Sequence, residues 1–198
     1  MLRSFNEYKG IEVSGRTITA LLQAFGQFKT LATKYLLEEG IGQKGADGVV
    51  SVDPAAWYPM EGQLRTLARF NQELGDSVVH QIGMSVPKHV EWPPGIQDVR
   101  AFMMAMDMGY HMSHRRNGLV MGDPATGRIT EGIGHYLARV RPDGFMEIET
   151  DCPYPCAFDK GLLFGVTRVL NLVGAILHDD SHPCRKRGDK ACVYVVKG

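Results

Sequence analysis

Apolar residues recur every three or four positions from Ile18 through Leu21, Leu22, Phe25, Phe28 and Ala32 to Tyr35 and Leu36. That period is the mark of one long helix burying a single face, and Gly40 supplies its C-terminal stop. Residues 42–53, with Gly42, Gly45, Gly48 and Asp53, read as a loop. A second helix is predicted from about Pro59, with Met60, Leu64, Leu67 and Ala68 as its stripe and Gly75 as its end. Asp76 suits the N-cap of a short third helix carrying Val78, Val79, Ile82 and Val86. Pro87 and a Trp92-Pro-Pro-Gly95 turn close that unit. A fourth helix is expected from about Gln97 to His114, with Val99, Phe102, Met103, Met106 and Tyr110 facing inward.

Beyond residue 115 the period changes from 3.6 to 2. From Gly134 to Arg141, His135, Leu137, Arg139 and Arg141 alternate with Tyr136, Ala138 and Val140, as in a half-buried strand. Pro142-Asp-Gly144 turns the chain into Phe145–Thr150. A three-residue loop with Gly144 left-handed sets Arg139 opposite Glu147, a favourable cross-strand pair. Phe158, Leu162, Val166, Val169 and Leu170 mark a fifth helix. Gly174–His178 and Ala191–Val196 are expected as the last strands. The predicted class is α+β: N-terminal helices packed on a C-terminal antiparallel sheet with one inserted helix. The chain reads as a single ligand-binding domain over 1–198, mainly helical over 1–115.

Composition narrows the function. The chain has 198 residues, 44% of them hydrophobic, enough for one real core. Lys+Arg 22 balance Asp+Glu 22, which argues against nucleic-acid and membrane-surface binding. No apolar run reaches the roughly 18 residues that span a bilayer, and the N-terminus lacks a signal-peptide core. A cytoplasmic protein is expected, in which cysteines serve as thiols or metal ligands. No G-x-S-x-G elbow, P-loop or dinucleotide fingerprint is present, so the reading leans away from an enzyme.

All 4 cysteines fall in the last third: Cys152, Cys156, Cys184 and Cys192. A soft divalent ion such as Zn²⁺ takes about four N, S or O ligands. Cys156, Cys184 and Cys192 are the expected thiolates, and Cys152 is spare. His178 is the favoured fourth ligand, with Asp180 and His182 also within reach. Arg185–Lys190 reads as a solvated loop. Pro155-Cys156 ahead of a helix, followed by a Cys184-x7-Cys192 hairpin containing Gly188, resembles the 4-vinyl-reductase-type ligand-binding domain. That module occurs in tetrapyrrole-pathway proteins and in phenol- and toluene-sensing activators. The resemblance covers about 45 residues and implies a structural zinc. Where the sensors place a Glu as fourth ligand, this chain has Ser181. The wider superfamily includes heme-based nitric-oxide-binding domains and a Golgi-trafficking subunit. The trafficking relatives imply a homodimer through the first helices.

The fourth helix carries a second constellation. Asp107, His111 and His114 fall at i, i+4 and i+7 and would share one face. That face could hold a metal, or His111 could ligate a heme iron. The heme-based relatives place their proximal His on the corresponding helix after a pattern like Phe102 to Asp107, three residues after the Asp. Here that residue is Tyr110, one before His111. Their propionate clamp, Tyr-x-Ser-x-Arg, is lacking in its nearest counterpart here, Thr150-Asp-Cys152-Pro-Tyr154. A pocket lined by Met103, Met106, Tyr110, His111, Ile133, His135 and Leu137 would have the apolar make-up of a small-molecule site. The leading expectation is a sensor or carrier for a small hydrophobic or tetrapyrrole-like ligand, with a structural zinc. The alternative is a metal- or heme-dependent protein using Asp107, His111 and His114, or a thiol pair Cys152/Cys156.

Overall fold

The computed structural model describes residues 5–90, 96, 98–169, 175–178 and 181–197. The expected Trp92–Gly95 turn, Gln97, Leu170, Gly174, Asp180 and the side chain of Val99 lie outside this set. The chain opens with strand β1 (Ile11–Ser14) and helix α1 (Gly15–Ala24). Ser14 caps α1 by accepting from the Thr17 N–H at 3.3 Å. Helix α2 (Lys29–Glu38) follows a 3-10 turn at Gly26–Phe28. The single long helix expected over 18–36 is therefore two. Gly26 takes φ 53°, which ends the α-helical ladder, while the 3-10 turn carries the apolar face across the break.

Next come β2 (Gln43–Lys44), β3 (Val50–Ser51), β4 (Trp57–Pro59) and α3 (Met60–Ser85). Gly75 sits inside α3 at φ 82°, ψ 174°, so α3 is two helical halves across a kink, close to the expected boundary. Helix α4 (Val99–Met112) starts on Asp98, whose side chain accepts from Ala101 N–H at 2.7 Å. Short strands β5 (His114–Arg116), β6 (Leu119–Val120), β7 (Gly122–Asp123) and β8 (Arg128–Ile129) lead to β9 (Tyr136–Val140) and β10 (Met146–Thr150). Helix α5 (Cys156–Val169), β11 (Ala175–Leu177) and β12 (Cys192–Lys197) complete the chain.

The class is α+β with antiparallel sheets. One sheet runs β11-β12-β10-β9 and holds the predicted hairpin. Arg139 faces Glu147 across it, and Gly144 is left-handed at φ 85°. A second sheet, β4-β1-β5-β6, was not expected. Its register joins Ile11 to Arg116 and Val13 to Tyr58. Strands this short carry little alternation, and their partners lie far apart in sequence. The core is continuous. Phe70 stacks on Phe25 at 4.6 Å and meets Tyr35 edge-on at 5.5 Å, and each such fully buried ring is worth roughly 1.5–3 kcal/mol. Helices α3 and α5 touch through backbone: a Cβ on Gly83 would lie 2.3 Å from Phe158 O, and one on Gly161 2.1 Å from His80 O. Among the described residues, no helix is long and apolar enough to cross a membrane.

Candidate functional site

Cys156 opens α5, Cys184 precedes the 3-10 turn Arg185–Arg187, and Cys192 opens β12. Gly188, left-handed at φ 96°, closes that turn, and Asp189 anchors it by accepting from Cys184 N–H at 2.8 Å. The three sulfurs converge: Cys156 Sγ lies 3.1 Å from Cys192 Sγ and 3.7 Å from Cys184 Sγ. Three thiolates on a tetrahedral zinc stand about 3.8 Å apart for Zn–S near 2.3 Å, so a small opening of the cluster would admit the ion. His178, at the end of β11, donates from Nδ1 to Val193 O at 2.7 Å. Its Nε2 is buried without a hydrogen-bond partner. The thiols of Cys192 and Cys184 beside it raise His178 to a pKa of about 9. The Cys156 thiol, with His178 and Arg185, holds Cys192 far below the usual thiol range. Three thiols and an imidazole whose other nitrogen is held by a backbone carbonyl could together hold a metal ion. Ser181 instead pairs with His182, 3.2 Å away at the surface.

Arg185 corrects the expectation of a solvated basic loop. Its side chain is only 9% exposed and its guanidinium pairs with Asp159. Its backbone N and Nε donate to Cys192 Sγ at 3.4 and 3.3 Å. Asp159 is fully buried on α5 and also accepts from Tyr136 O–H at 2.7 Å. Burial lifts its pKa to about 7 against the pull of Arg185 and Tyr136. Cys152 stands apart from the cluster. It is buried and donates to His135 O at 3.4 Å, and all four cysteines are free thiols. No disulfide joins Cys152 to Cys156.

The second site centres on Asp107 of α4. Its Oδ1 accepts from Tyr136 N–H at 2.9 Å, and its Oδ2 lies 2.9 Å from His135 Nδ1. His135 Nε2 is 2.8 Å from Glu131 Oε2. Burial opposes charge on His135, but Asp107 and Glu131 together raise its pKa. Gly134, at φ 77°, packs against Asp151 and Cys152, and Asp151 accepts from His135 N–H at 2.7 Å. The turn thereby delivers His135 to Asp107. His111 is 0% exposed, with Nδ1 2.8 Å from Asp107 O and Nε2 unpartnered.

His114 departs from expectation. It is the first residue of β5, not the last turn of α4, so Asp107, His111 and His114 do not share a helical face. Its Nδ1 bonds Tyr110 O at 2.7 Å, and its Nε2 lies 3.4 Å from Tyr154 O–H. Burial drives its pKa down to about 4. Leu137 is also misplaced by the sequence. It is 54% exposed, while Tyr136 turns inward. Met103 and Met106 are buried in the main core beside Tyr110, whose O–H donates to Ile133 O at 2.8 Å. Surface concavities of about 220 Å³ and 580 Å³ open elsewhere, beside Phe145 and Leu177 and beside Gly42 and Tyr58. Asp159 and Arg185 were missed, because they meet only through the tertiary fold.

No family model matches this chain, and no curated protein matches it significantly. Solved structures do. An H-NOX protein from Shewanella oneidensis in the Fe(II)NO state superposes with TM-score 0.62 at 16% identity, covering 93% of this chain and 98% of that one. The H-NOX domain of Shewanella oneidensis in the Fe(II)CO state gives 0.59 at 15% identity, covering 93% and 97%. An oxygen-binding H-NOX domain related to soluble guanylate cyclases gives 0.57 at 15%, covering 92% and 91%. The chain has the H-NOX fold.

Proposed function

We propose that this chain is a small-molecule-binding sensor domain whose C-terminal hairpin is clamped by a structural zinc. The observation that carries the reading is the end-to-end likeness to H-NOX structures, which were solved with NO, CO or oxygen bound. The ligand region is the one around Met103, Met106, Tyr110, His111 and His135, between α4 and the β9 lead-in. Met103 and Met106 fill it, and flexible Met side chains can move aside for an apolar ligand. The zinc reading is supported by the converging sulfurs of Cys156, Cys184 and Cys192 and by the orphaned His178 Nε2. Such a clamp joins α5 to β12, as the likeness to the 4-vinyl-reductase-type domain implies.

A heme reading has one specific observation in its favour: the buried, unpartnered His111 Nε2, which could serve as an axial ligand. The segment at the place of the propionate clamp lacks its residues. It ends in Tyr154, a buried phenol within range of Gln63 and His114, where a cation is needed. Native mass spectrometry of the purified protein tests the sensor reading, with metal analysis beside it. A co-purifying small molecule is expected, together with zinc that Cys184→Ser loses. Protein carrying neither, even after incubation with heme, overturns the proposal. A porphyrin absorption band that His111→Ala abolishes would select heme as the ligand.

A further inference from the structure

We propose that Asp107, His111 and His135, with Glu131 beside them, form a second metal site, one that takes a divalent first-row cation without sulfur ligands. The site shares His111 and His135 with the ligand region proposed above and is separate from the thiolate clamp. Asp107, His111 and His135 each offer a ligand atom, and these atoms lie within 4.8 Å of one another. Asp107 Oδ2 lies 2.9 Å from His135 Nδ1, and His111, whose Nδ1 donates to the Asp107 carbonyl at 2.8 Å, keeps Nε2 as its ligand atom. Neighbouring ligands on one ion with bonds near 2.1 Å stand about 3.0–3.4 Å apart, so the Asp107–His135 pair is already close to the spacing of two ligands on one ion.

Three further features favour a cation here. His111 is fully buried, yet its Nε2 has no partner. An acceptor buried in that state is costly unless something satisfies it. The carboxylates of Asp107, Glu131 and Asp151 surround His135, while Arg116 spends its guanidinium on the Glu131 carbonyl at 3.1 Å. The neighbourhood is thus negative overall. Finally, the framework is fixed from outside: Tyr136 N–H holds Asp107 and Asp151 holds the His135 backbone. Partners of this kind orient ligands before the ion arrives. Two imidazoles and a carboxylate suit Fe²⁺, Mn²⁺, Co²⁺ or Zn²⁺ and leave coordination positions open for an exogenous small molecule.

Cobalt(II) distinguishes this site from the cysteine cluster, because thiolate ligands give intense charge-transfer absorption and nitrogen or oxygen ligands do not. The whole chain, dialysed against a chelator and titrated with Co²⁺, should bind about two equivalents, one with and one without that absorption. Cys184→Ser should remove the thiolate signal and spare the other ion. His135→Ala and Asp107→Asn should do the reverse. Glu131→Gln, at a side chain 79% exposed, should weaken only the sulfur-free site, by roughly tenfold. The proposal is overturned if wild-type protein binds cobalt only with the thiolate signature, or binds none. It is equally overturned if the sulfur-free ion survives both His135→Ala and Asp107→Asn.

Discussion

His114 carries a consequence that its position alone would not suggest. The imidazole is sealed between Tyr110 and Tyr154, and burial holds its pKa near 4 against an ordinary 6.5. Between those values the unfolded chain takes up a proton that the native chain refuses. The contribution of His114 to stability therefore rises with pH from about 4 to 6.5, is constant above, and is lost on acidification by an amount on the order of 3 kcal/mol. Chemical denaturation of wild type and His114→Gln at both ends of that window should show a shallower pH slope in the variant. Equal slopes would mean that the buried imidazole titrates normally. At this scale the sequence was informative where chemistry sits in short spacing, as with Cys184 and Cys192. It was silent on Asp159 and Arg185, which look like helix and loop surface until the fold brings them together from 26 positions apart. Their pairing ties the cysteine loop to Tyr136, and through its N–H to Asp107.

Packing between elements can be tested with two glycines of opposite character. Gly161 meets the backbone of α3, so Gly161→Ala should destabilise by about 1–3 kcal/mol or more, because carbonyl His80 O cannot retreat as a side chain would. Gly109, in α4, has open space around it. Gly109→Ala should instead stabilise by roughly 0.5–1 kcal/mol through helix propensity. Thermal melts of the two variants should move in opposite directions. The sequence reading of elements followed the same logic. The β9–β10 hairpin was legible because Gly144 and the Arg139–Glu147 pair fix one register. The β4-β1-β5-β6 sheet was not, because its strands are 2 to 4 residues long and Ile11 finds Arg116 only in three dimensions. His114 was misread because helical spacing from Asp107 continues formally past Ser113, where the helix ends.

Across the whole molecule, the two candidate centres belong to different mechanical parts. The cysteine cluster fastens β12 and its loop to α5, whereas the sheet built on β1 is held by its own ladder and by Arg115 on Glu12. Removing the proposed zinc with a chelator should raise hydrogen exchange at least about tenfold in residues 181–197, leaving β1 and β5 protected. Uniform loss of protection in both sheets would show that the clamp supports the entire fold.

The break at Gly75 divides more than a helix. Ahead of it, Phe70, Arg69 and Arg65 meet Phe25, Tyr35, Glu38 and Glu39, all within a span that closes early on a growing chain. Behind it, Gly83 waits for Phe158 and Gly161 for the backbone it covers. Short loops close at lower entropic cost than long ones. The first half of α3 can thus consolidate while the ribosome is still making the sheet of β9 to β12, and the kink lets the other half remain unattached until α5 arrives.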